Sequence, residues 1–252
     1  MSIKFVILAA GKGTRMQSDI PKALTRIGGK PILQYLFDSI QASGVDGTPV
    51  VVVGHGRDKL CEFFGGTCDY AVQEEPLGTG HAVMCAREKT QGADAVVVLY
   101  GDHPFVSAKT LRDLAELHTT KGTVISMMTT TVPSFVGWHS VFLHWGRIIR
   151  DGHGHMIGIR EYKDAMESEQ EIREVNPAMY CFDAKWLWEN INQIKNTNAK
   201  GEYYLTDLIE LAVAQRREIA SLSIAPEEAV GVNTPDELRI AEEVLAARSV
   251  VA

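Results

Sequence analysis

Residues 6–16 read VILAAGKGTRM, an apolar run that stops at glycines and is followed by Lys12 and Arg15. Gly11 and Gly13 let backbone N–H groups approach an anion closely, and the Arg15 guanidinium can bridge two phosphate oxygens. Lys22 follows in PKAL (21–24), stiffened by Pro21, as a second candidate phosphate contact. The third glycine of a dinucleotide-binding turn is absent near Met16, and there is no GxxxxGK[ST]. Gln73 opens QEEPLGTGHAV (73–83), where its amide could read the edge of a nucleobase, although an ordinary turn with a Thr79 cap explains that stretch too. Asp102 falls just past the apolar run 96–100. A carboxylate facing a polyphosphate needs a cation between them. Mg²⁺, a hard ion that retains waters, is favoured over a simple Asx turn before Pro104.

These groups need elements to hold them. Apolar runs at 3–10, 49–54, 94–100 and 123–129 have strand length and no alternation, the pattern of strands buried on both faces. Between them, 31–43, 79–89 and 107–119 carry helical periodicity, with Pro31 suited to a first turn and Ser107 to an N-cap. The alternation predicts an α/β fold: a doubly wound, mostly parallel, Rossmann-like sheet whose ligand lies at the strands' carboxyl ends. The second half reads differently. Strands over 141–161 and 172–182, turning at Gly152–Gly154, and helices over 205–217 and 235–248 predict an antiparallel extension that covers the sheet's carboxyl edge and supplies a substrate pocket. The reading is one domain over 1–252 with two lobes.

The net charge of −7 argues against a nucleic-acid partner. Basic residues nevertheless gather locally: Lys12, Arg15, Lys22, Arg26 and Lys30 share their stretch with one acid, Asp19. Cys61, Cys68, Cys85 and Cys181 are scattered without metal spacing, the usage expected of reduced thiols in a cytoplasmic protein. No apolar segment is long enough for a membrane partner. His153 and His155 belong to a surface turn, and Trp138, Trp145, Trp186 and Trp188 show no pattern beyond packing.

Taken in order, LAAGKGTRM, PKAL, LGTGHAV, YGD, GRIIRD, KGEYYLTDLI and GVNTPDEL resemble the uridylyltransferase half of the bacterial bifunctional N-acetylglucosamine-1-phosphate uridylyltransferase/glucosamine-1-phosphate acetyltransferases, over nearly the whole chain. The resemblance implies a fold of the nucleotide-diphospho-sugar transferase type: a nucleotide-binding lobe (1–130), a sugar-binding lobe (131–230) that makes the extension an antiparallel sugar-binding extension, and a metal-ligand loop with C-terminal helix (231–252). It also implies transfer of UMP from UTP to N-acetylglucosamine 1-phosphate, with Mg²⁺ as cofactor. Leu8, Ala9, Ala10, Gly11 and Gln73 would hold uracil with Gly78 and Thr79. Arg15 and Lys22 would hold phosphates. Asp102 and Asn233 would bind the metal, a pairing that comes from the resemblance alone. Tyr100, Gly101, Gly146, Glu161 and Asn176 would line the nucleotide-sugar pocket.

Three departures stand out. No hexapeptide repeat of the family's β-helix occurs in these residues, so neither acetyl transfer nor a β-helix trimer is expected. The family's short Gly-Tyr-Gly-Arg approach is the longer GWHSVFLHWGR (137–147), and its Asn-Thr-Gly is Asn176-Pro177-Ala178. Both changes lie on the sugar side. The alternatives are nucleotidyl transfer to another sugar 1-phosphate such as glucose 1-phosphate, or a catalytically silent nucleotide-sugar-binding regulatory protein. A dinucleotide-dependent oxidoreductase is more distant.

Overall fold

A computed structural model describes residues 1–16, 20–198 and 200–251; Asp19 lies outside them. Three strands of consecutive valines and isoleucines, β1 (Ile3–Leu8), β4 (Val50–Val53) and β6 (Ala95–Tyr100), pair in parallel with β1 in the middle. Between β1 and β4 runs a two-strand ribbon, β2 (Arg26–Ile27) and β3 (Lys30–Pro31), and β5 (Asp69–Val72) adds outside β4. Alternate residues of these strands enter two separate cores. Phe5, Ile7, Val51, Val53, Val97 and Leu99 pack on one face, and Val6, Val50, Val52, Val96 and Val98 on the other. Burial on both faces is why the runs lack alternation.

The expected helices are found at Ile32–Ser43, Thr79–Cys85 and Ala108–Lys121, the last with Ser107 Oγ accepting from Thr110 N–H. After β7 (Ile125–Thr131) come β8 (Arg147–Arg150), β9 (Met156–Arg160), β10 (Glu174–Val175), β11 (Tyr180–Asp183) and β12 (Ile219–Ile224). The sheet runs β5-β4-β1-β6-β11-β7-β10-β8-β9, and β12 pairs in parallel with β7. It is therefore mixed: parallel where the glycine loops emerge, antiparallel in the extension.

Two expectations need correction. The predicted strand over 141–161 begins only at Arg147. Gly137–Phe142 is a 3₁₀ turn whose Trp138 and Phe142, with Trp145 just beyond it, are spaced four and three apart and form one apolar face. The apolar composition hid a helical period. The helices Arg57–Phe64 and Ala184–Asn190 and the strand β12 were not anticipated at all.

The chain moves from β1 outward to β4 and β5, then returns to the other side of β1 as β6. The crevice at that reversal, beyond the carboxyl ends of β1 and β6, is where such sheets bind ligands.

Candidate active site

Beyond Leu8 and Tyr100 the two strands stay together for one more bond, Gly101 N–H to the Leu8 carbonyl at 3.0 Å. A cavity of about 250 Å³ opens there. Leu8, Ala9, Ala10, Gly11, Lys22, Gln73, Gly78, Thr79, Tyr100, Gly101 and Asp102 line it, all of them expected from the sequence. Ala23, Pro76, Ala82 and Glu202 also line it and were not expected.

Glu202 arrives because two distant loops are stitched together. Gly80 N–H donates to the Tyr203 carbonyl and Tyr203 N–H to the Leu77 carbonyl, each at 2.8 Å, while Thr79 Oγ1 accepts from Leu205 N–H at 3.0 Å. Thr79 thus ties loops together and makes no cap bond to its own helix. Gly78 sits at φ +108°, and a Cβ there would lie 2.6 Å from the Tyr203 carbonyl oxygen, so only glycine fits.

Gln73 is buried. Its Nε2 donates to the Gly78 carbonyl at 3.0 Å and to His81 Nδ1 at 3.1 Å. With both amide hydrogens engaged, the side chain offers its oxygen, an acceptor. His81, passed over in the sequence, fixes that choice from the neutral tautomer that accepts at Nδ1.

At the other end of the cavity four side chains converge from three parts of the chain. Lys22 Nζ donates to Asp102 Oδ2 at 2.5 Å and to Asn233 Oδ1 at 2.9 Å, and Arg15 Nη2 donates to the same Asn233 oxygen at 3.0 Å. Gly13, at φ +61°, lets the Lys22 backbone close in, since a Cβ there would meet Lys22 Cβ at 3.0 Å. Asn233 is delivered by its neighbour: Val232 N–H donates to the Asp102 carbonyl at 3.0 Å. Glu237 Oε2 then takes the N–H groups of Asn233 and Thr234, and Thr234 Oγ1 takes that of Glu237, a capping box at the start of the helix Pro235–Val251.

Burial by itself would raise the Asp102 carboxyl. Lys22 and then His103 outweigh it and hold the group well below the usual carboxylate range, so it is an anion at neutral pH. Two hard oxygens, one of them charged, already share a cation, the Lys22 ammonium. That donor set fits Mg²⁺, which takes few protein oxygens and completes its shell with water and phosphate. Among the described residues no cluster of three or more His, Cys, Asp or Glu could hold a metal instead.

Gly146, Glu161 and Asn176, expected to face a sugar, stand apart from the cavity wall. Gly146 lies against Ile159 and Glu161; a Cβ there would meet Ile159 Cγ2 at 2.7 Å and Glu161 Oε1 at 3.6 Å. Glu161 is exposed at the rim, yet neighbouring atoms enclose its carboxyl enough to draw it upward. Tyr100, on the cavity wall, has its phenol pushed up chiefly by burial. Asn176 is committed to the fold: Oδ1 accepts from Ala178 N–H at 2.8 Å and Nδ2 donates to the Tyr180 hydroxyl at 2.8 Å. Ala178 is held at φ +60°, a left-handed conformation. His153 and His155 lie exposed in the β8–β9 turn, as expected, with both backbone N–H groups on Asp151 Oδ1. A larger groove of about 690 Å³ beside Trp138 and the C-terminal helix is edged by Glu227, Glu228 and Glu243, a poor setting for phosphate.

The fold and this convergence of basic, carboxylate and amide groups define a nucleotidyltransferase-type α/β protein. The family model described as MobA-like NTP transferase domain matches residues 5–194, and the chain belongs to that family. Among curated proteins, it is 40% identical over 245 residues to the bifunctional protein GlmU of Clostridium novyi (strain NT), covering 96% of this chain and 52% of that protein. It is 41% identical over 243 residues to the bifunctional protein GlmU of Geobacillus thermodenitrificans (strain NG80-2), covering 95% and 51%. The chain spans about half the length of these relatives. Among solved structures, a Bacillus anthracis protein assigned as a glucose-1-phosphate thymidylyltransferase, in complex with sucrose, superposes with a TM-score of 0.76 at 20% identity, covering 96% of this chain and 94% of that one. CMP:2-keto-3-deoxy-manno-octonic acid synthetase complexed with CTP gives 0.69 at 16%, covering 98% and 100%. These two show the fold alone. No helix among the described residues is long and apolar enough to cross a membrane.

Proposed function

We propose that the chain transfers UMP from UTP to a sugar 1-phosphate, N-acetylglucosamine 1-phosphate first among them, releasing pyrophosphate. The observation that carries this reading is the meeting of Arg15, Lys22, Asp102 and Asn233 at the carboxyl ends of β1 and β6. The likeness to the GlmU proteins supports the choice of sugar class. The Gln73 geometry supports uracil: its free acceptor suits the N3–H of uracil and opposes the N3 lone pair of cytosine.

In the reaction a sugar phosphate oxygen attacks the α-phosphorus in line and pyrophosphate leaves. Such transfers need positioning and charge neutralisation rather than covalent help. Arg15 and Lys22 hold the phosphates, with the loop amides around Gly11 and Gly13. Asp102 and Asn233 would hold Mg²⁺, which when bound neutralises developing charge on the phosphates. Glu161, Gly146 and Asn176 face the sugar, with Glu161 accepting from its hydroxyls.

One observation favours a different sugar as the second reading. The Asn176 oxygen already serves Ala178 within the Pro177–Ala178 turn, which leaves less of that side chain for an acetamido group. The test is pyrophosphate release with Mg²⁺, UTP or CTP, and a panel of sugar 1-phosphates. UTP with N-acetylglucosamine 1-phosphate should give the highest kcat/KM. No pyrophosphate from any pair would remove the enzymatic reading, and a preference for glucose 1-phosphate would replace the acceptor while keeping the chemistry.

A further inference from the structure

The two oxygens of the Asp102 carboxylate have different partners. Oδ2 accepts from Lys22 Nζ, which also donates to the Asn233 oxygen, whereas Oδ1 accepts from His103 Nδ1 at 2.9 Å. His103 is buried, and its Nε2 is the buried side-chain polar atom left without a partner among the described residues. A core built for packing alone would put leucine or phenylalanine here and leave no orphan. Something else has fixed the ring.

Its surroundings show how it is held. A Cβ on Gly231 would fall 3.0 Å from His103 Nε2, so the backbone of the loop leading to Asn233 lies directly against the ring. Trp145 and Tyr100 meet it edge to face, with centroids 6.0 and 6.2 Å away. Trp145 leans on Phe142, at 4.8 Å, and Phe142 on Trp138, at 5.9 Å. Arg147, wholly buried, clamps the same segment through the carbonyls of Trp145 (2.6 Å) and Leu143 (2.9 Å). The longer segment 137–147 therefore forms a wall whose Trp145 backs His103, which in turn backs Asp102.

Resting on the metal-dependent reading above, we propose that His103, backed by Trp145, is a positioning residue for the Asp102 carboxylate. By occupying Oδ1 it fixes the carboxylate plane and leaves one oxygen for a divalent cation. A small octahedral ion takes a carboxylate through one oxygen and tolerates little misalignment. A ligand carboxylate held by an outer hydrogen bond meets that demand without rotating at the moment of binding. Segment 137–147 thus serves the metal ligand from behind, although its sequence position suggests the sugar side.

The test compares two near-isosteric variants, His103→Asn and His103→Leu. Asparagine can still donate to Oδ1, and leucine fills the same space without a donor. Mn²⁺ binding to the protein without nucleotide is read by electron paramagnetic resonance, alongside thermal melting. Leucine should weaken Mn²⁺ binding about tenfold or more, the scale of losing an outer-shell partner, with asparagine within about threefold of wild type. KM for the sugar phosphate should not change in either. Packing alone would rank them the other way, because leucine removes the orphaned nitrogen. Gly231→Ala, which displaces the ring and alters no polar group, should reproduce the leucine defect, and it serves if both His103 variants fail to fold. Equal Mn²⁺ affinity in wild type and His103→Leu overturns the proposal. So does Mn²⁺ binding that survives Asp102→Ala. If Mn²⁺ binding follows the predicted order but no sugar phosphate supports pyrophosphate release, the reaction assignment fails and the role of His103 stands.

Discussion

The two ends of the site are built by opposite means. On the side proposed for the nucleotide, loops leave the ends of parallel strands, and backbone geometry sets the site: Gly78 permits an approach that any Cβ would block, and Gly13 one that a Cβ would crowd. On the side proposed for the sugar, the antiparallel strands end in side-chain clamps. Arg147 gathers three carbonyls, and Arg150 grips Glu174 through two bonds of 2.8 and 2.6 Å. Backbone-built sites lose function when one charged group goes. Clamp-built regions lose stability, and their ligand preference can drift while the chemistry stays.

The sharpest way to break this contrast is Asp102→Ala. It should lower kcat/KM by roughly 10²-fold or more, the scale of removing a principal electrostatic element. The melting temperature should fall as well, because Lys22 and His103 more than offset the burial of this carboxylate and both would lose their partner. Near-normal turnover in steady-state assays would show that the charge cluster is not the centre of the chemistry.

Gln73→Ala should come next, with a loss of about tenfold in the kcat/KM ratio of UTP over CTP. It removes the acceptor that favours a base carrying N3–H, and discrimination of this kind rests on leaving a buried polar group unpaired. A ratio unchanged from wild type would move base recognition to the backbone of Leu8–Gly11.

On the clamp side, Glu174→Gln should leave turnover near normal and cost about 1 kcal/mol of stability or less, given partial exposure of the pair. Its pH dependence has a definite sign. Burial raises the Glu174 carboxyl, but hydrogen bonds from Arg150 and Thr129 outweigh it, and the folded value lies below the ordinary 4.5. The stabilisation is thus full above pH 4.5 and fades as pH falls through the folded value. Melting curves of wild type and variant should be separated at pH 7 and converge in acid. A gap that widens in acid would contradict the assignment.

The smallest effect belongs to Ala178→Gly. A left-handed alanine costs about 1–2 kcal/mol, and glycine's extra unfolded-state freedom takes back part of the gain. The net should be a rise of up to about 4 °C in melting temperature. A fall would mean that the turn is not strained.

The nucleotide side was legible because its signals are local: an apolar run, then glycine, then a basic or acidic residue. The joining of Asp102 to Asn233 was not. It depends on one backbone bond, Val232 N–H to the Asp102 carbonyl, between residues far apart in the chain, and resemblance supplied it where spacing could not. His103, between Asp102 and Pro104, reads as part of a turn; only the packing of Trp145 against it shows otherwise. Residues 141–146 were misread because valine, phenylalanine and tryptophan favour strands, while the spacing of Trp138, Phe142 and Trp145 follows a helical turn. Strand β12 (IASLSI) carries a clear alternation that was overlooked.

Strand β11 has a consequence for synthesis on the ribosome. It lies between β6 and β7, pairing with both, although it is made after them. Until Tyr180–Asp183 emerges, the strand bearing Tyr100 has an open edge, and the crevice beside Asp102 lacks the Tyr180 side of its support. The nascent first half must wait with a hydrophobic edge exposed, a condition that invites pairing with other chains. Its sheet closes only when β11 inserts between β6 and β7, and the site gains Glu202 and Asn233 later still, as the rest of the chain follows.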